Sequence, residues 1–199
     1  WMQSPDAATY NVPAAFAMKE RPDASTLRRS FEYLIDRHEV LRTTLKLDNS
    51  SGNVMQHIAP ALSSKAHQML AWAEVTLSRK KAKRTKAETA GQAASGQSES
   101  EADTVEGVFE QEASKPFDLE SGPLVRATLV HDGKNQSHWL LISMHHASTD
   151  GWSHGVLRRE LETIYAGFCS SSRPPTEAEL PALEVQYADF AVWQRGWMD

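Results

Sequence analysis

Cysteine is almost missing from this sequence: 199 residues contain one, Cys169. No intrachain disulfide can form and no thiolate cluster can hold zinc, which excludes a disulfide-stapled scaffold and a zinc-finger module. A reducing compartment suits such a chain, and the cytoplasm is the expected location. Long apolar runs are missing too, and the longest is far too short to span a bilayer as a helix. So is an excess of basic charge. Lys and Arg number 21 against 26 Asp and Glu, a formal net charge of −5, which argues against a general nucleic-acid binder. No phosphate loop, dinucleotide fingerprint or Gly-x-Ser-x-Gly elbow occurs, so a nucleotide site and a hydrolase triad find no support.

What is present has the composition of an ordinary globular protein, 40% hydrophobic and 24% charged. The chain opens on Trp1-Met2 and closes on Trp193, Trp197 and Met198, residues of a kind expected to be buried. Both ends therefore read as cuts through a larger protein.

Residues 21–40 predict a helix. Asp23 or Ser25 can cap its free N–H groups, and Leu27, Phe31, Leu34 and Ile35 form an apolar face. Leu45-Lys46-Leu47, a polar Asp48–Asn53 stretch and Val54–Ile58 predict strand, turn and strand. Residues 66–78 are read as helical through Met69, Leu70, Ala73 and Leu77. A basic cluster follows, from Arg79 to Lys86, and then a tract without large apolar residues up to Thr104. Such a segment cannot bury enough surface to offset its ordering entropy, so 79–104 is read as a flexible surface insertion. The competing reading, a nuclear-localisation or nucleic-acid patch, has only the charge run behind it.

A short helix is expected over 105–114, a strand over Leu124–Val130, a turn at Asp132–Asn135 and a more apolar strand over Trp139–Met144. Val156, Leu157, Leu161, Ile164, Tyr165 and Phe168 predict another helix, and Tyr187, Phe190, Trp193 and Trp197 a last one whose stripe calls for a partner surface. The order of elements predicts an α+β fold: a mixed β-sheet with helices packed on it.

The strand–loop–helix over 139–168 is the strongest candidate for chemistry. A loop between a rigid strand and a helix start holds side chains where the scaffold aims them, and the helix start offers N–H groups and positive potential to a developing oxyanion. His146 is the candidate base, since a free imidazole titrates near pH ~6.5. Asp150 can orient it or pair with a basic residue elsewhere, and Gly151 permits a sharp turn or close ligand approach. His145 and His146 with one carboxylate are weak support for a metal site. Ser148 and Ser153 lie near His146 but in no nucleophile motif. Cys169 reads as a core residue. His57, His67, His131, His138 and His154 fall in no pattern and read as surface or packing residues.

His145-His146-x-x-x-Asp150-Gly151-Trp152-Ser153 resembles the signature of condensation domains of nonribosomal peptide synthetases. The shorter His-x-x-x-Asp-Gly core is shared with chloramphenicol acetyltransferase and related acyltransferases. Arg37–Leu45, Tyr187–Gln194, Pro116–Leu119 with Gly122–Arg126, and Trp1 with Tyr10–Pro13 resemble further motifs of the family, in the family's order. The resemblance implies two chloramphenicol acetyltransferase-like lobes facing each other across a tunnel, with residues 1–199 as the N-terminal lobe. The implied reaction is amide formation between donor and acceptor thioesters held on 4'-phosphopantetheine arms of carrier proteins. The implied catalytic residue is His146, supported by His145, Asp150, Gly151 and Arg37. Asp150 would pair with Arg37, or less favourably Arg42, and His38 would be a helix-end structural residue. Gly151-Trp152-Ser153 favours a peptide-forming member over an epimerisation domain. The chain itself would bind no cofactor or metal. Its partners would be upstream and downstream carrier proteins, the C-terminal lobe and an adenylation domain, with no nucleic acid or membrane, and the isolated chain would be inactive. A free-standing coenzyme A-dependent acyltransferase and a non-catalytic carrier-docking lobe are the alternatives.

Overall fold

A computed structural model describes residues 8–61, 68–78, 103–177 and 179–198. The proposed insertion at 79–104 falls almost wholly outside the described residues, as do Trp1 and His67. In chain order the elements are β1 (Asn11–Met18), α1 (Ala24–Arg37), a 3-10 turn (Glu39–Arg42), β2 (Thr43–Leu47), β3 (Val54–Ile58) and β4 (Leu70–Leu77). They continue with α2 (Val105–Ser114), β5 (Val125–Asp132), β6 (Ser137–His145), α3 (Gly151–Ser171) and α4 (Tyr187–Met198).

Four strands form one sheet in the order β1-β6-β5-β4, and β2 and β3 form a separate antiparallel ribbon. β4 runs parallel to β5 while β1 and β5 run antiparallel to β6, so the sheet is mixed as expected. β5 lies inside the sheet and is buried along nearly its whole length. Successive side chains point to opposite faces, so β4, β5 and β6 each serve two cores. Val125, Ala127, Leu129, Leu140 and Met144 meet Leu27, Phe31, Leu34 and Ile35 of α1 and Leu161, Ile164 and Phe168 of α3. On the other face Leu77, Val130 and Leu141 meet Val108 of α2. Burying each large side chain of these clusters contributes about 1.5–3 kcal/mol.

Helix α1 starts where Asp23 accepts from the Thr26 N–H at 2.7 Å, so Asp23 rather than Ser25 is the cap. It stops at His38, and the last part of the expected helix becomes the 3-10 turn.

Three expectations are corrected. Residues 70–77 form strand β4, not a helix. Leu70 and Trp72 pack toward α1 while Val75 and Leu77 pack toward α2, an alternation of period two that pairing with β5 selects. Cys169 is exposed: Leu161, Ile164 and Phe168 take the inner face of α3, and the next residue after Phe168 is rotated away from it. The aromatic residues of α4 are also exposed, Trp193 by 62% and Trp197 by 77%. α4 has no buried residue, and the two indole rings stack on each other at 6.4 Å instead. Among the described residues no helix is long and apolar enough to cross a membrane.

Candidate functional site

Strand β6 delivers the histidine loop to the start of α3. The strand ends at His145, which faces inward, and the pleat turns His146 outward. His145 is buried between Tyr10 and Phe117, both with ring centroids at 6.1 Å. Its Nδ1 accepts from the Ala147 N–H at 3.0 Å, which leaves the proton of the neutral ring on Nε2. Burial is the main cause holding the pKa of His145 below its ordinary value. Behind it, the Arg126 guanidinium stacks 3.6 Å over the Phe117 ring and donates to the Glu112, Lys115 and Pro116 carbonyls. That clamp fixes the wall against which His145 packs.

His146 is exposed. Its backbone N–H donates to the Tyr10 carbonyl at 2.8 Å, anchoring the main chain to the residue that leads into β1. Its imidazole makes no hydrogen bond to a described residue, whereas the polar groups around it are committed. Ser148 is buried, with both N–H and Oγ donating to the His145 carbonyl at 2.9 Å. That bonding removes the Ser148 nucleophile reading.

Asp150 caps α3. Its Oδ1 accepts from the Ser153 N–H at 2.7 Å and from Ser153 Oγ at 2.6 Å. These bonds hold its pKa below the ordinary carboxylate value, and the negative charge complements the helix N-terminus. Ser153 is thereby a capping partner. Gly151 has an unstrained helical backbone, and a Cβ there would meet nothing within 4 Å. No sharp turn requires it; the open space beside it is what close ligand approach asks for.

The expected pairing of Asp150 with Arg37 is not formed, and this corrects the sequence reading. Arg37 Nε lies 3.1 Å from Glu160 Oε2, and its Nη2 donates to the Pro181 carbonyl at 2.6 Å. The physical reason is distance along α3: ten residues of helix separate Asp150 from Glu160 by about 15 Å. Arg42 does not reach Asp150 either. It is buried against the Ala59 and Asp36 carbonyls and pairs with Glu39 at 3.5 Å. His38 Nε2 stands 2.5 Å from Glu160 Oε2, so the helix-end histidine hydrogen-bonds the same carboxylate. Burial pushes the Glu160 pKa up, but bonds and charges from His38 and Arg37 outweigh it and hold the carboxyl below its ordinary value. Glu160, absent from the sequence reading, therefore adds a polar tie between α1 and α3 to their apolar packing. Its only sequence signal is a charged residue on the same helix face as Leu157, Leu161 and Ile164.

His154 is the second residue to which the sequence assigns no role. In the first turn of α3 its Nε2 is buried without a hydrogen-bond partner among the described residues, and burial holds its pKa below the ordinary value. It lines an apolar cavity of about 470 Å³ shared with Phe16, Met18, Phe31, Ile142 and Leu157. Among the described residues no group of three or more ligating side chains stands ready for a metal ion.

Comparison with known proteins bears on this site. The family model described as Condensation domain matches residues 2–198. Linear gramicidin synthase of Brevibacillus parabrevis is 36% identical over 98% of this chain, which spans 2% of the matching polypeptide's length. Phosphinothricin tripeptide synthetase PhsC of Streptomyces viridochromogenes is 33% identical over 98% of this chain and 15% of its own. Among solved structures, the starter condensation domain of rhizomide synthetase superposes with a TM-score of 0.70 at 14% identity, over 99% of this chain and 40% of that one. The epimerization domain from the third module of tyrocidine synthetase B gives a TM-score of 0.70 at 21% identity, over 96% and 37%. At these identities the two structures speak for the fold.

Proposed function

The chain belongs to the condensation-domain family, and from that premise we propose that it supplies the histidine-bearing lobe of a catalytic site that joins two carrier-bound thioesters through an amide bond. The amine of an acceptor aminoacyl thioester attacks the donor thioester carbonyl, the thiolate leaves, and the amine proton is taken up. His146 is the residue that meets the amine. The observation that carries this reading is its imidazole: exposed and hydrogen-bonded to no described residue, on a loop where Ser148, Asp150 and Ser153 are engaged in bonds of their own. Holding two reactants in register is worth roughly 7–11 kcal/mol, while a positioned base adds about 10²–10⁴-fold, so orientation by the loop and proton uptake by His146 act together.

The other site residues serve this one. His145 packs behind it, Asp150 fixes the start of α3, and open space at Gly151 leaves room for the reacting groups. Arg37 acts at one remove, through Glu160. The partners are carrier proteins whose 4'-phosphopantetheine arms present the substrates, a second lobe that closes the tunnel, and an adenylation domain. The working compartment is the cytoplasm. The superposition over 40% of the rhizomide condensation-domain chain supports the assignment to one lobe.

The test uses the complete synthetase module with both carriers loaded. His146→Ala is expected to cut amide formation by about 10²-fold or more while carrier loading is unchanged. Product formation at the wild-type rate would overturn the assignment.

A further inference from the structure

Three consecutive backbone N–H groups fasten the histidine loop, each to a different acceptor. The His146 N–H donates to the Tyr10 carbonyl at 2.8 Å, the Ala147 N–H to His145 Nδ1 at 3.0 Å and the Ser148 N–H to the His145 carbonyl at 2.9 Å. Two of these acceptors are peptide carbonyls, which take up no proton near neutral pH. The third is an imidazole nitrogen, which does. The loop that presents His146 therefore has one titratable fastening, and it is supplied by the residue directly before His146.

That bond fixes a tautomer. An Nδ1 that accepts carries no hydrogen, so the neutral ring keeps its proton on Nε2. A second proton has only Nδ1 to occupy. There it turns the acceptor into a donor, and two N–H groups then face each other across the place of the former bond. Ala147 is exposed, so water can take over its N–H once the ring lets go. The same planar peptide carries the His146 carbonyl, and its rotation changes the backbone torsion that follows the His146 Cα.

The surroundings oppose that second proton. The ring packs between the Tyr10 phenol, ahead of β1, and Phe117, ahead of β5. Behind Phe117 stand Arg126 of β5 and Glu112 of α2, whose charges face each other at 3.7 Å. Burial is the largest cause that holds the His145 pKa below its ordinary value, and the positive charges of the amino terminus and of His146 add to it. The bond to Ala147 is therefore intact at neutral pH and is lost on the acid side.

We propose that His145 is a positioning residue: its neutral ring latches the Ala147 peptide and so aims His146, and a proton on Nδ1 opens the latch. Amide formation then depends on two histidines for opposite reasons, on His146 for a proton it takes up and on His145 for one it must not hold. The consequence for catalysis rests on the amide-forming reading; the latch itself does not.

The test has two arms. A nitrogen-15 NMR titration of the full chain follows the ring nitrogens of His145 and the N–H of Ala147 from neutral to mildly acid pH. At neutral pH Nδ1 should show the shift of an unprotonated nitrogen. The Ala147 N–H signal should then move, and its exchange with solvent rise, at the same midpoint as the His145 ring. An Nδ1 that carries the proton at neutral pH, or an Ala147 N–H indifferent to protonation of His145, would overturn the proposal. The second arm measures amide formation against pH in the complete synthetase module with both carriers loaded. In asparagine Oδ1 lies as many bonds from Cβ as Nδ1 does in histidine, and it does not titrate. His145→Asn is therefore expected to make the acid limb shallower by one proton, about ten-fold less loss of rate per pH unit. His145→Leu, which has no acceptor, should be slower at every pH. An acid limb as steep in His145→Asn as in the wild type would overturn the positioning role. If His145→Asn leaves too large a gap between Tyr10 and Phe117 to fold, with circular dichroism as the control, the titration of the wild-type chain decides. His146→Ala separates the two readings: a wild-type rate there strikes the amide-forming reading, and the Ala147 titration still decides the latch.

Discussion

Strand β6 carries histidines at both ends, and the two ends treat them in opposite ways. At its exit, His145 and His146 are adjacent in sequence, yet one is buried against Tyr10 and Phe117 and the other faces solvent. At its entrance, His138 and His131 are separated by a turn, yet their imidazoles touch. Along one strand neighbours diverge because the side-chain period is two; across a hairpin, register partners converge on one face. Proximity in sequence and proximity in chemistry are inversely related here. An exposed imidazole arises at the end where neighbours diverge and a paired one where strands meet.

The largest expected effect would test the divergent end. His146→Ala should reduce amide formation by about 10²-fold or more with the melting temperature unchanged, whereas His145→Ala should lose both activity and stability. Equal melting temperatures for the two variants would remove the distinction between a working and a packing histidine.

Between the two ends, α3 is pinned to α1 by Glu160. Glu160→Ala leaves Arg37 and His38 largely buried without their partner, and denaturant unfolding should show a loss of about 3 kcal/mol or more. A negligible change would mean that the histidine loop holds its place without this anchor. The sign of the pH dependence follows from the lowered Glu160 pKa. Its stabilising contribution is full above the ordinary value of 4.5 and is lost as the pH falls through the folded-state value. Glu160→Gln should flatten the acid limb of a stability-versus-pH curve there.

A smaller effect ranks the two ends of β6 against each other. Burial lowers the pKa of both His131 and His145, so the unfolded chain binds protons that the folded chain resists. Stability from this source is complete above pH ~6.5 and falls as the pH drops toward each folded-state value. Melting temperatures measured between neutral and mildly acid pH should fall, and His131→Gln and His145→Gln should each remove part of that slope. A slope unaltered by either would contradict the burial argument.

The smallest effect concerns the cap of α3. Asparagine caps a helix about as well as aspartate, so Asp150→Asn should lower the melting temperature by a few degrees at most and leave amide formation near wild type. An inactive but fully stable Asp150→Asn would give the carboxylate charge a role that capping does not supply.

Much of this is legible in the sequence where the signal is local. The face Leu27, Phe31, Leu34, Ile35 and its Asp23 cap depend on neighbours within one or two turns, and α1 forms as expected. The His145–Ser153 stretch carries the loop and family membership. β4 escapes such reading because the apolar spacing from Met69 to Leu77 suits a helix until β5 offers a strand to pair with. The carboxylate that Arg37 meets escapes it too, because a sequence shows every acid but does not measure the length of α3 between Asp150 and Glu160.

The sequence by itself therefore determined most of the elements and the motif that marks the family. Only the tertiary structure decided which charges meet, which nitrogen of His154 is left unpaired, and that His131 and His138 stand 3.0 Å apart. The reason is physical. Periodicity and capping act over a few residues of one chain segment, while ion pairs, cavities and cross-strand contacts depend on where separate segments are brought by packing.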